Sequence, residues 1–158
     1  MINDIKALNR KMGVKKKIAK EFDNYQKLAY LEFRAKFIQE ELNELLDAVI
    51  QKDSDDIVDA LIDIIVVALG TLDAYNINIK KAWNRVHDAN MNKMVGHNST
   101  RKNIYNLPDL VKPYDWQSPQ HFDNVGELSF LQEEEWWVIF AGIAFVLKRN
   151  IAHHSILL

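Results

Sequence analysis

Apolar residues recur at helical spacing through most of the first hundred positions. Between 30 and 51 they fall at Leu31, Phe33, Phe37, Ile38, Leu42, Leu45, Leu46 and Val49, a broad stripe on one long helix. Upstream, residues 3–11 predict a short helix capped by Asn3 or Asp4. Residues 14–28 predict a second, with Ile18, Phe22, Tyr25 and Leu28 near the same period. The polar stretch QKDSDD, 51–56, interrupts the pattern. Asp53 or Ser54 suits the cap of the next helix, and Asp55 and Asp56 suit its positive end. That helix runs to about Tyr75. Its centre, LIDIIVVALGTL, is apolar nearly all round and is expected to be the most buried element. A turn at NIN, 76–78, leads into the amphipathic stretch IKKAWNRVHDANMNKM.

Residues 96–127 hold all three prolines and no sustained period, so a loop packed on the helices is expected there. A helix signal returns at Ser129, which with Gln132 fits a capping box; Glu133, Glu134 and Glu135 fill the first turns, and Lys148 and Arg149 close the end. Within it, WWVIFAGIAFVL (136–147) is apolar for twelve residues. A membrane span needs ~20, so a buried helix or a subunit contact is expected instead. The pattern describes an all-α helical bundle: a domain over 1–127 and a helical extension over 128–158.

Composition narrows the function classes. The 158 residues are 48% hydrophobic and 27% charged, which suits a globular domain. A formal net charge of −2 argues against a general nucleic-acid binder. Lys15, Lys16 and Lys17 are followed by Glu21 and Asp23, and read as a solvated face. With no cysteine, thiol catalysis and cysteine-bound zinc are excluded. The opening residues lack the apolar core of a signal peptide, and a cytoplasmic protein is expected.

The chemistry lies in the acids. In IQEELNELLDAV, Glu41 and Glu44 share a helix face at i, i+3; Asp59 and Asp63 do so at i, i+4. Two antiparallel helices would bring the pairs together, and four close carboxylates repel one another unless a cation lies between them. Oxygen-only ligands point to Mg²⁺, with Mn²⁺ as a substitute. Taken singly, Glu40, Asp47, Asp55 and Asp56 read as solvated flanks. Asp63, inside LIDIIVV, is expected to need a buried partner.

EELNELLDAV followed by DDIVDALIDIIVVALGT resembles the all-α nucleotide pyrophosphohydrolases, the superfamily of MazG and phosphoribosyl-ATP pyrophosphohydrolase, whose pattern is ExxE, an interval, then ExxD. RVHDANMNKM (85–94) and VKPYDWQSP (111–119) resemble a phage and bacterial branch with VH..NM.K and KP..W..P stretches. The second Glu of ExxD falls on Ala60, so Asp59, rather than Asp56, is the expected fourth ligand. The resemblance implies Mg²⁺-dependent hydrolysis of a (deoxy)nucleoside triphosphate between the α and β phosphates. Glu41, Glu44, Asp59 and Asp63 would hold metal, and Glu40 would position or deprotonate the attacking water. Asn90, Lys93 and Lys112 would bind the substrate, with Trp116 as a lid; Arg85 is a weaker candidate. Phosphoribosyl-ATP is the less favoured substrate, because the downstream stretches resemble the other branch. Relatives of this kind assemble as dimers or tetramers, so a homo-oligomer is expected, without nucleic acid or membrane. The competing expectation is a non-catalytic helical protein that binds nucleotide or a partner after losing full metal ligation.

Overall fold

The computed structural model describes residues 1–97 and 104–132. Among them are five α-helices: α1 (Ile2–Met12), α2 (Val14–Lys20), α3 (Asn24–Gln51), α4 (Ser54–Ala74) and α5 (Ile79–Met91). A two-stranded antiparallel ribbon follows, β1 (Met94–Gly96) with β2 (Asp109–Val111), and then a 3₁₀ helix, Gly126–Gln132. The all-α reading holds; the ribbon is an addition that three-residue strands are too short to announce by period. None of the described helices is long and apolar enough to cross a membrane.

Local chemistry sets the helix ends. Asp53 caps α4 as expected, accepting from the backbone N–H groups of Asp55 and Asp56. The helix expected over 14–28 is two helices. Asp23 and Gln26 form a reciprocal capping box, Gln26 N–H to Asp23 Oδ1 at 2.7 Å and Asp23 N–H to Gln26 Oε1 at 3.0 Å, which starts α3 at Asn24. At the front, α1 has no side-chain cap, and Asp4 instead pairs with the terminal ammonium of Met1 at 2.6 Å.

Met1–Glu127 forms one compact unit. At its centre α3 and α4 make an antiparallel hairpin across Lys52 and Asp53. Ala48, Ala60, Val67 and Ala74 are buried along it, and α1 packs against α4. Asn9 of α1 donates to the Gly70 carbonyl at 2.8 Å and to Asp73 Oδ2 at 3.0 Å, while Lys15 lies 3.5 Å from the same buried carboxylate. Arg34 donates from Nε to Thr71 Oγ1 (3.0 Å) and from Nη2 to the Val67 carbonyl (2.9 Å). Tyr75 is fully buried and its hydroxyl donates to the Lys27 carbonyl. The Tyr75 carbonyl in turn accepts from Glu127 N–H at 2.8 Å, and Lys27 pairs with Glu127 at 2.8 Å. Gly126, at φ 54°, is required there because a Cβ would collide with the Tyr75 carbonyl oxygen.

The centre of α4 departs from expectation. Val58, Leu61, Ile62 and Ile65 recur at helical spacing and are exposed, Ile62 at 52%; on α3, Leu42, Leu46, Val49 and Ile50 are exposed as well. The α4 helix is therefore buried along one side only, and its apolar girth includes an uncovered face. Ser129 and Gln132, expected as a capping box, lie within the 3₁₀ helix; from residue 133 on, the helix expected there and its apolar run 136–147 lie outside the described residues.

Candidate active site

The hairpin brings the α3 and α4 acids into one neighbourhood. Glu41 is 6% exposed, the buried acid of the set. Asp63, expected to be the buried one, is half-buried, because its helix presents an open flank; it has no hydrogen bond or ion pair among the described residues. Glu40, Glu44 and Asp59 are exposed. Burial pushes the Glu41 carboxyl above its ordinary value, and Glu44, Asp63, Glu40 and Asp59, in decreasing order, push it further. Every charge acting appreciably on Glu41 is thus negative. Four carboxylates act on Glu41, and among the described residues no lysine or arginine offsets them.

Beside this cluster lies a groove of about 260 Å³. Ala48 and Ala60 form its floor, and Glu44, Asp47, Asp56 and Asp59 its walls. Ala60 is the position where the superfamily pattern carries Glu, so the missing side chain coincides with open space. Asp47 and Asp56, read from sequence as flanks, face the same space as two expected ligands. Their spacing held the signal: Asp47 follows Glu44 at i+3, and Asp56 precedes Asp59 by three.

Whether a divalent cation suits these residues turns on the donor set and its geometry. The donors suit a hard ion: all are carboxylates, and Glu41 is buried without a positive partner. The geometry is looser, since among the described residues no group of three or more His, Asp or Glu side chains is close enough to hold an ion as placed.

The expected substrate residues come together elsewhere. Lys93 Nζ donates to Asn90 Oδ1 at 2.8 Å. Lys93 and Lys112 lie 5.2 and 4.4 Å from the Trp116 ring centroid, and the Trp116 indole N–H donates to the Ala89 carbonyl at 2.7 Å. Arg85 is committed otherwise: its guanidinium grips Asp123 at 2.6 and 2.9 Å and the Gln120 carbonyl at 2.9 Å. Together with Lys81, it holds the Asp123 carboxyl well below the usual carboxylate range. His87 is exposed on α5.

A family model, phosphoribosyl-ATP pyrophosphohydrolase, matches residues 5–90, more than half of the chain. The match takes in both acid-bearing helices and ends before Lys93, Lys112 and Trp116. Searches of curated proteins and of solved structures found no match. The matched span and the all-α hairpin that carries its acids lead to one assignment: the chain belongs to the phosphoribosyl-ATP pyrophosphohydrolase family, within the MazG-like all-α nucleotide pyrophosphohydrolases.

Proposed function

We propose that this protein hydrolyses a (deoxy)nucleoside triphosphate between the α and β phosphates, releasing monophosphate and pyrophosphate, with Mg²⁺ as cofactor and Mn²⁺ as its substitute. The observation that carries this reading is Glu41: a buried carboxylate ringed by four others, with no positive partner, in a chain of pyrophosphohydrolase family. Such an arrangement is unfavourable without a cation. Glu41, Glu44, Asp59 and Asp63 would hold the ion, with Asp47 and Asp56 lining the adjoining groove. A bound Mg²⁺ would neutralise phosphate charge and lower the pKa of water. Glu40, exposed beside Glu41, would orient the attacking water or accept its proton.

The exposed apolar stripes of α3 and α4 support a homodimer or homotetramer built on the hairpin. The activity fits a cytoplasmic nucleotide pool, with 128–158 as an extension of the catalytic domain.

Pyrophosphate release from a panel of ribo- and deoxyribonucleoside triphosphates and phosphoribosyl-ATP, with Mg²⁺ and with EDTA, tests the proposal. Metal-dependent release from a triphosphate is expected. Release from phosphoribosyl-ATP alone would move the substrate to the other branch, and release from none would defeat the enzymatic reading. The absence of a ready chelating group among the described residues favours one alternative, a protein that binds nucleotide without turnover. Calorimetry showing binding in the same panel without product would select it.

A further inference from the structure

The contacts between α5 and the chain that follows the ribbon fall in a row. At the end of α5 the Trp116 indole N–H donates to the Ala89 carbonyl at 2.7 Å. One turn back, Arg85 holds the Gln120 carbonyl at 2.9 Å and both oxygens of Asp123 at 2.6 and 2.9 Å. A further turn back, Lys81 reaches the same carboxylate at 2.7 Å. At the start of the helix, Asn78 N–H donates to Asn124 Oδ1, and the Asn124 amide donates to the Asn78 carbonyl, each at 3.0 Å. Positions 89, 85, 81 and 78 share one face of a helix. Residues 116–124 therefore run antiparallel to α5 as a strap, with a contact at each turn.

The far end of the strap is fixed to the hairpin. Glu127 N–H donates to the Tyr75 carbonyl and its carboxylate pairs with Lys27, both at 2.8 Å, with both side chains of that pair largely enclosed. The near end is held less firmly. A turn closed from the Pro113 carbonyl to Trp116 N–H at 3.1 Å follows Lys112 and joins a ribbon of three residues a side. A two-stranded ribbon is marginally stable alone. The place of Lys112 and Trp116 relative to the end of α5 thus depends on the rungs along the strap. Among these the Arg85–Asp123 rung is the most directional, a two-point guanidinium–carboxylate pair that fixes orientation as well as distance. It stands between the firm end and the weak one.

We propose that Arg85 and Asp123 are positioning residues for nucleotide binding: together they lock the strap to α5 and through it set the Pro113–Trp116 turn against the helix end. Neither touches the nucleotide. Arg85 is thereby reassigned from a substrate cation to an anchor, because both of its terminal nitrogens are turned to the strap. The strap follows the 5–90 span of the family match, so the device lies in a part of the chain that the match does not describe. The proposal rests on the hydrolase reading, in which Lys112 and Trp116 meet the substrate, and the experiment separates the two.

Hydrogen exchange of the full chain and titration calorimetry with α,β-methylene nucleoside triphosphates and Mg²⁺ form the test. The Arg85 and Asp123 side chains are 29% and 39% exposed, so effects on the scale of one exposed ion pair are expected, about fivefold. Asp123→Asn should speed exchange at the distant Trp116 amide by about that factor and leave α3 and α4 as in the wild type. Arg85→Gln and Asp123→Asn should each weaken nucleotide binding by the same factor, and the double variant should be no worse than either, as for two partners in one interaction. Exchanging the two charges, Arg85→Asp with Asp123→Arg, should recover part of both losses. Tighter binding by Asp123→Asn would overturn the proposal, since it would make Arg85 a substrate ligand released by the change. Faster exchange confined to 120–124 would overturn it, and so would nucleotide binding indifferent to both substitutions. A wild type that binds the analogues but hydrolyses no nucleotide would sink the enzymatic reading alone; one that hydrolyses nucleotide with an unaltered Trp116 amide in Asp123→Asn would sink the strap alone.

Discussion

Near Tyr75, the two long helices of the hairpin are closed together by satisfied polar groups. Arg34 spans to Thr71 and Val67, Asn9 bridges Gly70 and Asp73, and the Tyr75 hydroxyl reaches the Lys27 carbonyl. Towards Lys52, the same helices carry carboxylates that have no positive partner among the described residues, two alanines under a groove, and an exposed apolar stripe. One half is assembled for stability. The other holds like charges together and leaves apolar surface open, an arrangement that costs stability until something binds. Functional sites commonly break local rules in this way.

The sharpest way to break the contrast is at Glu41 and Asp63. Glu41→Gln or Asp63→Asn should reduce metal-dependent turnover by at least about 10²-fold, the consequence of losing several kcal/mol of charge stabilisation. Metal-free Glu41→Gln should nevertheless melt above metal-free wild type, because a repelled buried charge is gone. The pH dependence has a definite sign. The Glu41 carboxyl titrates higher in the folded chain than in the unfolded one. The penalty is complete above the folded value and absent below the unfolded one, so metal-free stability rises as pH falls through that window. Glu41→Gln should flatten that slope.

Cation binding sharpens the comparison next. At a hundred times its dissociation constant, Mg²⁺ should stabilise the wild type by about 2.7 kcal/mol, read as a rise in melting temperature that Asp63→Asn lacks. In the closed half, Arg34→Leu should cost about 2 kcal/mol for its two hydrogen bonds while leaving the magnesium-induced rise in place. The smallest effect is expected at Tyr75→Phe, about 1 kcal/mol by denaturant titration. The Tyr75 phenol is pushed up to about 12, chiefly by burial. Its stabilisation is complete below the ordinary tyrosine value and is lost as pH rises through the folded one. The mutant should lack that alkaline loss.

The hairpin was readable because its signals are local: a long stripe, a polar break, Asp53 at the cap and acids at helical intervals. The start of α3 was readable too, since Asp23 and Gln26 stand at capping-box spacing, but the apolar residues on both sides continue the same period and hide the break. Burial was harder. The apolar stripe Val58, Leu61, Ile62 and Ile65 looks like core in a single sequence, and periodicity does not say which side of α4 meets α3. For that reason the sequence points to Asp63 as a buried acid, whereas Glu41 is the one the fold encloses. Asn90, Lys93, Lys112 and Trp116 were legible only through their likeness to a family stretch. Their grouping depends on cross-strand register and on a turn, neither of which has a helical period.

The link between α3 and α4 has a consequence for evolution as well as for chemistry. Lys52 sits in a left-handed conformation at φ 58° and Asp53 begins the next cap at once, leaving no slack between the helices. Each residue of an α-helix advances about 100° around the axis. A single codon inserted here would therefore swing every α4 acid a quarter-turn or more away from Glu41, while altering no ligand. The length of this joint therefore constrains the acid cluster as firmly as the identity of the acids does.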